Sequence, residues 1–410
     1  MIKKNELIID MFIGFVVALS LSAFIYMHHF GMSSVIFESF FALLGFTFLL
    51  QIPKKAVLFT GFFIGILWFY WISYSFKYNG VGFIAPFIVL GFGVVYMLFF
   101  SPLAFTTNPF IRALLLLLLS FIEPMGFNWM QLQLPFVHTT FGAHLWQFAL
   151  ILFATAFFIY FRTKLWRFIA FFPLLLAVDH QQHSIPLAPL KIKLVQTDVK
   201  QSYKWKKEAL QPTIYMVLNE IQNAIEKKYD LVVLPESVLP LFLNKAPKLQ
   251  ERLQQLAQNI DIVIGALYLD GDIHYNVAYH FSKDKYEIAK KTVLVPFGEY
   301  IPLPSFLKEM VNDYFFAGAS DFTPAKAPTD FNIKGVKFRS AICYEATSKE
   351  LFKDNPRYMI AISNNAWFAP SIEPTLQQLL MQFYAKRHNT IIYHSANYKG
   401  SGIITPNGLK

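Results

Sequence analysis

The rhythm of apolar positions changes once along this chain, near residue 180. Up to that point apolar residues run almost unbroken through about 7–27, 34–52, 56–76, 81–101, 109–124, 143–161 and 165–179. A helix needs roughly 20 such residues to cross ~30 Å of hydrocarbon. The pattern therefore predicts about seven spanning helices within residues 1–180, the fifth and seventh of them short. The first run follows Lys3 and Lys4 but is too long for a removed signal peptide and lacks a small-residue cleavage site. Beyond the Pro-containing stretch HSIPLAPL the apolar runs shorten to strand length. Strands are expected at 191–199, 230–237, 261–269, 275–282, 337–345, 358–367, 390–396 and 402–406, with helical spacing over 206–228, 247–259 and 373–389. Alternation of this kind predicts a layered α/β domain over residues 191–410, with sites at the ends of its buried strands.

Charge separates the same two parts. Residues 1–179 hold nine Lys/Arg and five Asp/Glu, while the rest of the chain holds 27 and 21. The formal net charge of +10 points to anionic lipid headgroups rather than to nucleic acid, because the first nine basic residues flank apolar runs. With an inside start and alternating sides, Lys3, Lys4, Lys54, Lys55, Arg112, Arg162, Lys164 and Arg167 fall in the cytoplasm and only Lys77 outside. Seven spans then put everything after residue 180 outside the cytoplasm. The outer segment 123–142 is aromatic. It reads either as an interfacial loop anchored by Phe127, Trp129 and Phe136, or as a lipid-facing loop at the mouth of a site. A single cysteine allows no intrachain disulfide.

Three reactive residue types sit where strands should end. Glu236 closes LVVLPE, Cys343 closes FRSAIC, and Lys291 opens KTVLVPFGEY, which leads to Glu299. A thiol must lose its proton to attack a carbonyl; a carboxylate can take that proton and a cation can steady the oxyanion that forms. Each residue also has a plain reading, as a small buried hydrophobe, a helix-start partner and a surface lysine respectively. No HExxH, CxxC or GxxxxGK[ST] pattern occurs, and His180 and His183 lie in the linker as solvated residues. Neither nicotinamide, metal nor nucleotide is called for.

Four strings in order, LPES (234–237), KxxLVPFGEYIPL (291–303), ICYE (342–345) and ISNNAWF (362–368), resemble the motifs of the apolipoprotein N-acyltransferase family. The likeness extends to VQTDVKQSYKW (195–205) and to the aromatic loop around Trp129. It implies a multi-span helical membrane domain followed by a nitrilase-like α-β-β-α sandwich facing the periplasm of a bacterial inner membrane. By position it implies Glu236 as general base, Lys291 as oxyanion partner and Cys343 as nucleophile. Glu299, Tyr344 and Glu345 are implied as supporting residues, and Trp205, Trp129 and Trp367 as lipid-side aromatics. The reaction implied passes an acyl chain from a phospholipid, typically phosphatidylethanolamine, through a cysteine thioester. The acceptor is the α-amino group of a lipoprotein's diacylglyceryl-cysteine. No cofactor is implied, and a monomer without nucleic acid is expected.

Two departures from the family pattern stand out. Asn365 replaces a frequent Asp, and Ala369 a frequent Gly, with little effect expected. The family's final transmembrane helix has no counterpart after GIITPNG; either the lineage lacks it or the sequence is a shortened product. Two other functions share parts of this pattern: a membrane-tethered nitrilase-like amidase using the same residues, and a transporter whose outer domain only captures ligand. Against the transporter, no charged residue lies well inside a span; Asp10, Glu38 and Glu123 sit at edges.

Overall fold

Apolar stretches this long can satisfy their backbone only by coiling on themselves, and every run before residue 180 does so. A computed structural model describes residues 2–180, 185–296, 298–299 and 322–410. It falls into two units, Met1–Gln182 and His183–Lys410. His183 and the motif residues Phe297 and 300–303 lie outside the described residues.

The first unit contains α1 (Ile2–His29), α2 (Val35–Gln51), α3 (Lys54–Phe69), α4 (Ala85–Phe100), α5 (Pro109–Leu119), α6 (Leu145–Tyr160) and α7 (Phe171–Leu176). Three helical stretches, Asn5–His29, Lys54–Tyr78 and Gly82–Phe105, are long and apolar enough to cross a membrane; Val35–Gln51, Pro109–Leu119, Leu145–Tyr160 and Leu165–Leu176 are shorter. At 1.5 Å per residue the 11 residues of α5 rise only about 16 Å. Without apolar attraction between helices in lipid, close packing has to come from small residues. On α3, a side chain at Gly61 would strike the Tyr96 carbonyl and one at Gly65 the Phe92 carbonyl, so the two glycines let α4 lie directly on the α3 backbone.

Ring contacts and charges mark the two ends of this unit. At one end Trp71 lies 5.1 Å from Trp129, Phe69 lies 5.3 Å from Phe127, and Thr140 N–H donates to Ser39 Oγ at 3.1 Å. At the other end the buried Arg112 side chain serves the carbonyls that the end of α2 leaves unpaired. It donates to Ile52 O at 2.8 Å and Leu49 O at 3.3 Å, and also to Thr106 O at 3.0 Å and Leu103 O at 3.1 Å. A cation there also meets the negative end of the helix dipole. Lys54 reaches Phe105 O at the same end, and Phe110 of α5 meets Tyr160 of α6. Residues 177–179 are back at the aromatic end, where Gly142 N–H donates to Ala177 O and Asp179 N–H to Thr140 O. The short seventh segment thus runs between the same two ends as the long helices.

The second unit carries two sheets. The first has the order β1 (Ile192–Leu194), β2 (Leu231–Val233), β3 (Asp261–Asp270), β4 (Ile273–Phe281), β5 (Tyr286–Lys290). The second runs β11 (Gly408–Leu409), β10 (Gly402–Thr405), β9 (Ile391–Asn397), β8 (Tyr358–Asn364), β7 (Val336–Ile342), β6 (Asp330–Ile333). β1, β2 and β3 are parallel, as are β7, β8 and β9. Side chains alternate across a strand. Val263 of β3 therefore packs toward Ile342 and Ile362 between the sheets, while Ile262 and Ile264 face Val217 and Ile221 of α9 (Lys207–Glu226) and Leu253 of α10 (Pro247–Leu256). A short helix α8 (Gln201–Lys204) precedes α9, and α11 (Glu373–His388) packs against β9 and β10. The layers are helix, sheet, sheet, helix, as the motif resemblance implied. β5, β6, β11 and α8 are additions to the elements expected from the sequence.

Arg112 offers a test of the first unit. Arg112→Leu removes the donor of four carbonyl contacts and is expected to cost about 3–5 kcal/mol of stability. The exposed Lys54→Gln at the same end should cost less than about 1 kcal/mol. Thermal unfolding of the full chain in detergent or nanodiscs reads the difference; equal losses would refute this role for Arg112.

Candidate active site

Three of the parallel or hairpin strands end close to one another in charge. β2 leads through Leu234 and Pro235 to Glu236, β5 ends at Lys290 just before Lys291, and β7 ends at Ile342 just before Cys343. Cys343 and Ser237 take left-handed backbone angles, φ 57° and 45°, which cost side-chain-bearing residues free energy and persist only where surrounding contacts enforce them. Gly265 of β3 is part of that enforcement. A side chain there would lie 2.6 Å from Glu236 Cα and 2.5 Å from Ser237 N, so only glycine lets the Glu236 turn close onto β3.

The centre of the site is the Lys291 ammonium, 1 % exposed. It donates to Glu299 at 2.8 Å and stands 3.9 Å from Glu236 Oε1. Burial works against its charge, but Glu299, Glu236, Cys343 and Glu345 outweigh that effect and hold its pKa above the ordinary lysine value. Asn276 of β4 joins the two carboxylates, its Nδ2 donating to Glu236 Oε1 at 2.8 Å and to Glu299 Oε1 at 3.4 Å. Val295 N–H donates to Glu299 Oε2 at 2.9 Å. Glu345 accepts from Thr292 N–H, from Val293 N–H at 3.0 Å and from Ile342 N–H at 2.7 Å. It thereby ties the residues after Lys291 to the residue before Cys343. Burial pushes its pKa up to about 7, against Lys291 and the three amides.

Cys343 is half-buried, and its thiol pKa lies well above the usual value. Burial is the main cause, the Glu236 charge adds to it, and Lys291 opposes it. The thiol at rest is therefore neutral, and a base is needed to activate it. Gln377 of α11 reaches toward its sulfur, Nε2 to Sγ being 3.9 Å.

Four further residues of this site carry weak sequence signals. Asn276 is a lone amide in the apolar alternation of YNVAYHFS. Gln377 and the buried Glu373 lie on α11; the carboxyl of Glu373 is pushed well above its usual range by burial and by Glu236, and its Oε2 has no hydrogen-bond partner among the described residues. Lys204 sits in the VQTDVKQSYKW string beside Trp205. It is buried and donates to the Glu236 backbone carbonyl at 3.1 Å. Burial lowers its pKa to about 8, with Glu236 and Cys343 acting the other way.

The three tryptophans go to different surroundings. Trp205 is 48 % exposed. Trp367 follows β8, its Nε1 3.3 Å from one arm of the Asn364 amide; the Lys204 ammonium is 3.1 Å from the same arm, and an oxygen placed there accepts from both. Trp129 belongs to the helical unit, where it is 3 % exposed between Trp71 and Phe127. Tyr344 is buried at the start of the turn after β7. Asn365 is more committed than its mild substitution suggested. Its amide donates to Gln377 Oε1 at 3.1 Å and Lys399 O at 2.8 Å, bonds that an aspartate carboxylate cannot donate.

Comparison with known proteins covers both units. Residues 8–180 match the integral membrane domain of apolipoprotein N-acyltransferase, and residues 191–408 match the carbon-nitrogen hydrolase family. The apolipoprotein N-acyltransferase of Wolinella succinogenes is 42 % identical over 397 residues, covering 95 % of this chain and 94 % of that protein. That of Helicobacter pylori is 37 % identical over 383 residues, covering 92 % and 89 %. That of Campylobacter jejuni is 32 % identical over 416 residues, covering 100 % and 92 %. With both units matched and relatives this close over nearly their full length, the chain belongs to the apolipoprotein N-acyltransferase family.

Proposed function

We propose that this acyltransferase works through a Cys343 thioester, with Glu236 moving the protons and Lys291 holding the oxyanion. The observation that carries the proposal is the meeting of one buried, doubly paired ammonium, one carboxylate beside it and the chain's one thiol at neighbouring strand ends. In the first half-reaction Glu236 takes the thiol proton and the sulfur attacks the ester carbonyl of a phospholipid. The tetrahedral oxyanion forms beside Lys291, whose charge its carboxylate neighbours secure. As the C–O bond breaks, protonated Glu236 returns the proton to the departing lysophospholipid oxygen. In the second half-reaction the neutral α-amine of the diacylglyceryl-cysteine attacks the thioester. Its proton passes to Glu236, the C–S bond breaks, and the sulfur leaves and is reprotonated. Glu299 keeps Lys291 charged and positioned, and Glu345 holds the two strand ends in register. Burial of Glu236, Lys291, Glu345 and Glu373 keeps bulk water from the charges and favours the amine over water as acceptor.

Phosphatidylethanolamine is the donor we favour, and a monomer the working unit. The catalytic domain we assign to the periplasmic side of the bacterial inner membrane. In support, Lys54 and Arg112 lie at one end of the helical unit while residues 177–179 lie at the other, where the chain leaves it. About seven crossings fit that path. Trp205, exposed beside Lys204, is our choice for the lipid-side aromatic of the catalytic unit.

Two experiments test the chemistry. Intact-protein mass spectrometry after incubation with labelled phosphatidylethanolamine should show one fatty-acyl adduct on the wild type and none on Cys343→Ala; an adduct surviving that change, or turnover to free fatty acid in place of N-acylation, would sink the reading. The second follows the signs of the thiol shift. Glu236→Gln removes a negative charge, so iodoacetamide alkylation of Cys343 should move to lower pH while acyl-enzyme formation falls about 10²–10⁴-fold. Lys291→Met should move alkylation to higher pH. Alkylation profiles that do not separate in these directions would refute the assigned roles.

A further inference from the structure

The helical unit brings together three side chains that the acyl-transfer chemistry does not use. His28 lies near the end of α1, Glu38 in the first turn of α2, and His138 in the segment between α5 and α6. The Glu38 carboxylate is fully buried. His28 Nε2 is 3.3 Å from its Oε2, and His138 Nδ1 is 3.3 Å from both of its oxygens. Ser34 N–H also donates to Oε1 at 3.0 Å. Each residue offers one ligand atom, and all these atoms lie within 4.8 Å of one another.

Two facts about this cluster need a common cause. A carboxylate out of water requires positive charge close by, and among the described residues no lysine or arginine pairs with Glu38; two imidazoles do. The two imidazole–carboxylate separations are also those of a coordination sphere, which the two rings complete by a small inward shift. Ligand atoms at about 2.0–2.1 Å from a tetrahedral ion stand about 3.3 Å apart, the separation of each imidazole nitrogen from the carboxylate. The His28 and His138 rings are 22 % and 25 % exposed, so an ion from the aqueous phase can reach them and water can complete the sphere.

We infer that His28, Glu38 and His138 bind one divalent transition-metal ion, zinc being the best match to two imidazoles and one carboxylate. The ion neutralises Glu38 and fastens the segment between α5 and α6 to the ends of α1 and α2, beside the Ser39–Thr140 contact. The fastened segment includes Trp129 and Phe127, which pack under Trp71 and Phe69. The ion is structural and lies outside the thioester chemistry. Ligands at positions 28, 38 and 138 are too far apart in sequence to form a local motif.

The test uses the full chain in nanodiscs, without a histidine tag, titrated with zinc against a chelating indicator. One saturable zinc per chain is expected in both the wild type and Cys343→Ser, and zinc should raise the unfolding temperature by mass action. His28→Asn, Glu38→Gln and His138→Gln should each weaken binding by about 100-fold and abolish the zinc-dependent rise in unfolding temperature. X-ray absorption at the zinc edge of the wild type, independent of any variant's folding, should show two imidazoles and no sulfur near 2.3 Å. Absence of saturable binding, binding unaltered in the three variants, or a sulfur ligand would each overturn the inference.

Discussion

An ammonium buried away from water is costly unless paired on several sides, and much of the catalytic unit is arranged to pair Lys291. Glu299 has to turn back eight residues later to meet it, and Val295 N–H and Asn276 hold that turn. Glu236 has to come close from β2, which requires the Gly265 gap in β3 and the left-handed Ser237. Glu345 holds Thr292, Val293 and Ile342 at once, so the Lys291 and Cys343 strands cannot slip relative to each other. One buried cation therefore ties the ends of β2, β4, β5 and β7. Glu236 and Glu299, which pair with Lys291, also bear on the thiol together with Glu373, and the Lys291 ammonium opposes them.

The helical unit answers a related constraint at its own termini. Helix ends leave carbonyls without partners, and in an apolar setting few groups can serve them. Arg112 serves carbonyls from α2 and from the stretch before α5. At the opposite end aromatic rings cover the turns, and Glu38 is met by imidazoles from two other segments. These end-to-end ties let helices as short as α5 belong to the same bundle as α1.

Period-2 alternation made β4 readable, and unbroken apolar character made β3, β8 and β9 readable, because both signals survive without knowledge of partners. β5 and β6 escaped because YEIAK and DFNI are short and half polar; they are strands by virtue of pairing with β4 and β7. The site was legible in outline. Glu236, Lys291, Glu299, Glu345 and Cys343 all sit next to motif strands, and the structure gathers them. Asn276, Lys204, Glu373 and Gln377 were not legible, since nothing local separates a buried amide, lysine or glutamate from a solvated one. Trp129 had two open readings, as a surface anchor or a lipid contact, and the fold buries it among rings.

From sequence alone came the division at residue 180, the apolar runs, the one thiol and the ordered motifs that mark the family. These are properties of composition and spacing along the chain, which hydrophobic burial and backbone pairing translate directly into helices and strands. Tertiary structure alone decided which polar side chains lose their water together. Desolvation and pairing are set by neighbours from distant segments. For that reason the charge state of Lys291, the neutrality of the thiol, the commitment of Asn365 and the convergence of His28, Glu38 and His138 exist only once the chain has folded.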